Sequence, residues 1–174
     1  MFGGSQGARF FSQVLPAALA HLDPQLRSRL KLVLQARPED AELARASLLK
    51  LQVDAEVSEF FSDMPARISQ SHLVICRAGA SSVSELALIG CPSILVPLPG
   101  ALDDDQGANA AHLAAAEGAV LVRQKDLAPE KLANLLSHAM NHPESLAIQA
   151  ENAKKSGVAD AAARLADLIQ IHVG

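Results

Sequence analysis

The sequence calls for an α/β fold, a Rossmann-like parallel sheet with helices on both faces. Short runs rich in Leu or β-branched residues alternate with longer amphipathic stretches along the 174 residues, and only short loops separate them. Two turns of glycine and small residues, over 3–8 and 78–82, each lead into a helix, as strand-to-helix turns do in such sheets. Five strands are predicted, over 32–36, 56–60, 73–77, 94–97 and 120–122. The first helix, over 8–22, places Phe11, Val14, Leu15, Ala18, Leu19 and Leu22 on one stripe, and Pro16 is expected to kink it. Further helices are read over 39–51, 65–71, 82–89, 106–117, 129–141, 143–155 and 159–172. No linker and no internal repeat interrupts them, so residues 1–174 are expected to form one domain.

The opening is irregular. It reads Met1-Phe2-Gly3-Gly4-Ser5-Gln6-Gly7, and a glycine-rich turn into a helix normally follows a strand. Two residues are too few for one, so the expectation is a first strand truncated from a larger design. That strand is central in a doubly wound order, and its loss should leave neighbouring edges unpaired. A gap, a rearranged edge or a second chain filling the space would follow, with self-association through the exposed edge as one outcome.

A chain of this length buries roughly 70% of its unfolded surface. With 49% hydrophobic and 20% charged residues it sits at the globular average, which excludes a disordered tail or a fibre. The net charge of −4 argues against a phosphate-backbone binder, and nucleic acid is not an expected partner. Aromatics are 3%, without Trp or Tyr, so a ligand must be held by backbone and small polar groups. Cys76 and Cys91 match no metal spacing and are expected as buried free thiols in a reducing compartment. No apolar run approaches the roughly 20 residues of a membrane span, so a soluble domain is expected.

Three constellations carry chemistry. In Gly3-Gly4-Ser5-Gln6-Gly7-Ala8, glycines permit close approach of a ligand, while free N–H groups and the helix dipole favour an anion such as a diphosphate. The plain alternative is an ordinary strand-to-helix turn. Gly3-x-Ser5-x-Gly7 also fits the nucleophile elbow of serine hydrolases, but none of the six histidines stands in a distinguishing context. Cys76-Arg77-Ala78-Gly79-Ala80-Ser81-Ser82-Val83-Ser84-Glu85 repeats the logic of the first turn, and both turns should lie at the carboxyl edge of the sheet. Ser82-x-x-Glu85 reads as a capping box, with a carboxylate holding the two hydroxyls of a ribose as the functional alternative. The third is the acidic run Asp103-Asp104-Asp105 before Gln106 and Asn109. It invites a metal hypothesis, but a five-residue loop separates it from the preceding strand. Solvated acids, with Asp105 capping the next helix, are the expectation, and no metal is assigned.

These segments, together with Glu59-Phe60-Phe61-Ser62-Asp63-Met64 and Gln106-x-x-Asn109-Ala110, resemble the carboxyl-terminal half of the MurG glycosyltransferases in order and spacing. The resemblance implies the donor half of a GT-B architecture and a UDP-N-acetylglucosamine-binding domain, with the amino-terminal acceptor domain absent. It places Ser5 and Gln6 beside the diphosphate and the Phe61 backbone at the uracil edge. It puts Arg77 beside the nucleotide, the N–H groups of Ala80, Ser81 and Ser82 on phosphate, and Glu85 on the ribose. Gln106 with its neighbour Asp105 would hold the sugar, although relatives often carry Gln or His where this chain has Asp105.

The implied reaction moves N-acetylglucosamine, with inversion and without a metal or other cofactor, onto a lipid-linked muramoyl-pentapeptide. That is a step of peptidoglycan synthesis, tied to cell shape and cell division. The acceptor, the general base and the membrane contact belong by this logic to the absent half, so no catalytic residue is assigned here. The parent enzyme would sit peripherally on the cytoplasmic face of the inner membrane. A stand-alone or split-subunit binding module is the other reading.

Overall fold

A computed structural model describes the backbone of residues 1–100 and 103–173, and the side chains there apart from those of residues 5, 6, 162 and 171–173. Five strands form in chain order: β1 (Lys31–Gln35), β2 (Asp54–Ser58), β3 (Val74–Cys76), β4 (Ser93–Leu95) and β5 (Ala119–Leu121). Each lies within one or two residues of its predicted span. The largest shift is at β2, which ends at Ser58 and leaves Glu59 and Phe60 outside the ladder.

The helices are α1 (Gly4–His21), α2 (Pro24–Arg27), α3 (Pro38–Lys50), α4 (Met64–Ser69), α5 (Ala80–Ile89), α6 (Asp105–Ala115), α7 (Pro129–Asn141), α8 (Pro143–Ser156) and α9 (Ala161–Val173). α1 runs as one helix through Pro16 and starts four residues earlier than expected, so the glycine turn is its first turn. The short α2 was not foreseen. Asp23 caps it, accepting from the N–H of Gln25 at 2.7 Å, with Pro24 preset at the first position. A 3₁₀ turn, Gln124–Asp126, follows β5.

β1 pairs with β2 and β3 pairs with β4 and β5, all parallel. The two pieces of sheet are not hydrogen-bonded to each other directly. Met1 and Phe2 stand between them. The Met1 ammonium donates to the Val33 carbonyl at 2.6 Å and the Gln35 N–H donates to the Met1 carbonyl at 3.0 Å. On the other side the Phe2 N–H reaches the Ile75 carbonyl at 3.1 Å, in a parallel bridge to Cys76. The lateral order is therefore β2, β1, Met1–Phe2, β3, β4, β5, with the expected gap beyond Met1.

Alternation along the strands makes two cores, one on each face. Ile75, Ile94 and Val96 join α1, α3 and α7 through Phe11, Leu15, Leu19, Leu48 and Leu132. Val74, Cys76 and Leu95 turn the other way onto α4, α5, α6 and α8 through Ile68, Leu86, Leu113 and Ala153. Cys76 and Cys91 are free and buried, and burial pushes their thiols up to about 12 and about 11. Neither serves as a thiolate at neutral pH.

Candidate functional site

In a parallel sheet every strand ends at the same edge, so α1 and α5 both begin there. The Phe2–Cys76 bridge sets their first turns side by side. Gly3 is the N-cap of α1, and a Cβ on it would stand 2.5 Å from the Gly7 backbone, so only glycine closes this turn. Gly4 has φ +62°, another conformation that side chains resist. Their N–H groups both reach Oε1 of Gln35, at 3.3 and 3.1 Å, and Nε2 of Gln35 donates to the Glu59 carbonyl at 3.1 Å. One β1 side chain thus ties the α1 turn to the segment carrying Phe61. Ser5 and Gln6 lie in the first helical turn, where backbone N–H groups have no intrahelical partner. Their side chains lie outside the described residues.

Arg77 leaves the end of β3 and is 6% exposed. Its Nη1 donates to the carbonyls of Val96 and Pro97, both at 3.2 Å. Nη2 donates to the Gly7 carbonyl at 3.5 Å and to Oε1 of Gln124 at 2.5 Å. The guanidinium lies over the rings of Phe10 and Phe11, at 5.4 and 4.9 Å. Its stem fills the space above Gly7, where an added Cβ would meet it at 2.6 Å. Among the described residues no carboxylate pairs with it, its Nε has no partner, and burial lowers its pKa from the ordinary arginine value. Arg77 braces the α1 turn against the end of β4.

The cap of α5 is Gly79, three residues beyond the end of β3, with no side-chain hydrogen bond. Ala80, Ser81 and Ser82 are the first three helical residues, so their N–H groups are the unpaired ones. The expected capping box is overturned: Ser82 already lies inside the helix, and Glu85, half-buried in the next turn, has no hydrogen bond or ion pair. The turn before Gly79 is held from α6. Oε1 of Gln106 accepts the N–H of Ala78 at 3.2 Å and of Leu98 at 3.0 Å, and Nδ2 of Asn109 donates to the Ala78 carbonyl at 3.1 Å. Gln106 keeps only its NH₂ for a ligand.

Asp105 does not cap α6. The cap is Asp104, in the left-handed region at φ +47°, and Asp105 is the exposed first helical residue. Both Asp104 oxygens meet Arg123, at 2.6 and 2.7 Å, and that guanidinium holds its carboxyl below the usual range. The acidic run therefore does not converge on a cation site, and among the described residues no three His, Cys, Asp or Glu gather for one. The loop tip at 101–102 lies outside the described residues.

Phe61 is 7% exposed, its ring 4.3 Å beneath the Arg67 guanidinium. Among the described residues its backbone N–H has no hydrogen-bond partner. The described histidines at 21, 72, 112, 138 and 142 lie at helix C-termini or before β3, near the opposite edge from Ser5. The hydrolase triad is not assembled among them. Gln35 is the contributor that sequence reasoning missed. Its only signal was a polar residue ending an otherwise apolar strand.

Comparison with known proteins gives the family and the fold. The glycosyltransferase family 28 C-terminal domain matches residues 1–165. A Brucella canis protein named UDP-N-acetylglucosamine–N-acetylmuramyl-(pentapeptide) pyrophosphoryl-undecaprenol N-acetylglucosamine transferase is 57% identical over 98% of this chain and 45% of its own length. A Rhizobium etli (strain CIAT 652) protein of the same name is 52% identical over 98% of this chain and 46% of its own. The chain thus spans about half the length of the curated relatives it matches. The crystal structure of Acinetobacter baumannii MurG superposes with a TM-score of 0.86 at 35% identity, covering 97% of this chain and 48% of that one.

Proposed function

Because the chain belongs to the glycosyltransferase family 28 C-terminal domain family, we propose that it binds the donor UDP-N-acetylglucosamine for transfer to a lipid-linked muramoyl-pentapeptide. The observation that carries this reading is the pair of helix starts, α1 and α5, at one edge of the sheet, with the buried Arg77 guanidinium bracing the first. Such a cradle is preorganised for the negative charge that develops on a departing diphosphate. Ser5 and Gln6 border the diphosphate from α1, and the N–H groups of Ala80, Ser81 and Ser82 meet it from α5. Arg77 holds the α1 turn against the end of β4, beside the nucleotide, while Gln106 and Asn109 hold the turn into α5.

The Phe61 N–H reads the uracil edge, and Glu85, free of any cap, takes the ribose hydroxyls. The Gln106 NH₂ and Asp105 face the sugar. The acceptor hydroxyl needs a general base, which this reading places in an acceptor-binding half of the full-length enzyme. We assign the domain to the cytoplasmic side of the membrane, where a UDP-sugar is met. Among the described residues no helix is long and apolar enough to cross a bilayer.

Calorimetry with UDP and UDP-N-acetylglucosamine tests the donor reading. Micromolar to millimolar binding is expected, since one half of a cleft forfeits contacts from the other. Absence of heat at millimolar ligand overturns it. Mixing with an acceptor-binding half should restore transfer, whereas a pure binding module would bind and stay silent.

A further inference from the structure

Resting on the donor reading above, we propose that Gln35 is a positioning residue that couples the two ends of the nucleotide. Through its side-chain amide, capture of the diphosphate at the α1 turn sharpens the reading of the base at Phe61, and the reverse.

Gln35 is the last residue of β1, paired in register with Ser58 of β2, so its half-buried side chain stands between the α1 turn and the chain leaving β2. Oε1 accepts the N–H groups of Gly3 and Gly4 at 3.3 and 3.1 Å, and Nε2 donates to the Glu59 carbonyl at 3.1 Å. Turned over, the amide would set its NH₂ against two N–H donors and its oxygen against a carbonyl, so only one orientation satisfies all three contacts. Both polar atoms belong to one rigid plane, and a shift at either end is felt at the other. Among the described residues no other hydrogen bond or ion pair joins residues 3–7 to residues 59–63.

Each end of this link sits beside a group that the donor reading assigns to the ligand. At the first, Gln35 takes the N–H groups of Gly3 and Gly4, and the Gly7 N–H goes to the Gly3 carbonyl at 3.1 Å. The N–H groups of Ser5 and Gln6 are thereby the ones left for a diphosphate. At the second, Gln35 holds the Glu59 carbonyl, and Ser58 Oγ donates to the Phe60 carbonyl at 3.0 Å. A trans peptide is planar, so holding the Phe60 carbonyl aims the Phe61 N–H the opposite way. The Phe61 ring is pinned beneath Arg67, whose guanidinium also meets Asp63 and Glu56. The segment is thus fixed within itself at Ser58 and Arg67, and tied to the α1 turn only through Gln35. A base edge offering an acceptor, as the O4 of uracil does, suits the Phe61 N–H, whereas the amino group of cytosine opposes it. Coupling of this kind is reciprocal, and it favours a ligand that carries the right base and the diphosphate together.

The test uses the whole chain labelled with ¹⁵N and inorganic pyrophosphate, which has no base. In the parent, saturating pyrophosphate should shift the amide resonances of Phe60 and Phe61 as well as those at 5–6 and 80–82. Gln35→Met should keep the helix-start shifts and lose those at Phe60 and Phe61. Gln35→Glu should do the same while retaining the acceptor for both glycine N–H groups, which serves where the methionine variant folds poorly. In calorimetry the preference for UDP over CDP should fall about fivefold or more in both variants. Ser58→Ala, which frees the Phe60 carbonyl without touching the α1 turn, should weaken that preference yet keep the response of Phe61 to pyrophosphate. Shifts at Phe61 that persist in the Gln35 variants, an unchanged preference while UDP still binds, or a response lost equally in Ser58→Ala each overturn the coupling and leave the donor reading standing. A parent that binds neither pyrophosphate nor UDP overturns both.

Discussion

The two edges of this sheet are built from the same strands and are finished in opposite ways. At the carboxyl edge, long polar side chains close the turns: Gln35 ties α1 to the Phe61 segment, Arg77 ties α1 to β4, and Gln106 with Asn109 ties α6 to α5. At the amino edge the cleft between β1 and β3 is lined by Leu15, Leu19, Val33 and Leu136 together with Arg29, Lys31 and Arg67. Polar cross-links that leave selected helix N–H groups free preorganise an edge for a charged ligand, the role proposed for the carboxyl edge.

The hardest blow to the carboxyl edge should be Arg77→Met. It leaves the carbonyls of Val96, Pro97 and Gly7 without their donor, at about 2–4 kcal/mol. The expected melting temperature falls by about 10 °C, and calorimetry should detect no UDP binding. A variant as stable as the parent would show that Arg77 is not a strut.

Gln106→Leu should follow, at about 1–2 kcal/mol, because the N–H groups of Ala78 and Leu98 lose their shared acceptor. UDP affinity should drop about tenfold, or about 1.4 kcal/mol, through the loosened α5 turn. Unchanged affinity in a destabilised variant would separate the turn from the site.

What could be read from the sequence was the part written in local chemistry. Glycine turns, strand runs and helix stripes placed both helix starts at one edge. What escaped depends on distant partners or on single-residue geometry. Gln35 acts across 32 residues on Gly3, and nothing local marks a strand-end glutamine as a clamp. Arg77 reads as a ligand contact until its 70-residue reach to Gly7 is seen. Ser82-x-x-Glu85 satisfies the capping-box pattern, yet Gly79 starts the helix three residues earlier. Asp104, not Asp105, stands at the cap position, and its carboxylate goes to Arg123 rather than to the first helical N–H groups.

The smallest expected effect on stability, Glu85→Gln, discriminates most finely within the carboxyl edge. Glu85 has no hydrogen bond and no ion pair in the folded chain, so amidation should leave stability within about 0.5 kcal/mol. Were the residue a cap, about 1 kcal/mol would be lost. A role toward ribose demands more than weakened binding, since any change near an anion site alters affinity for UDP. The preference for UDP over 2′-deoxy-UDP should be present in the parent and vanish in the variant, because only a carboxylate accepting the 2′-hydroxyl distinguishes them. Equal loss for both nucleotides would place Glu85 in the general field of the site, and an unchanged preference would move the ribose to another residue of the same edge.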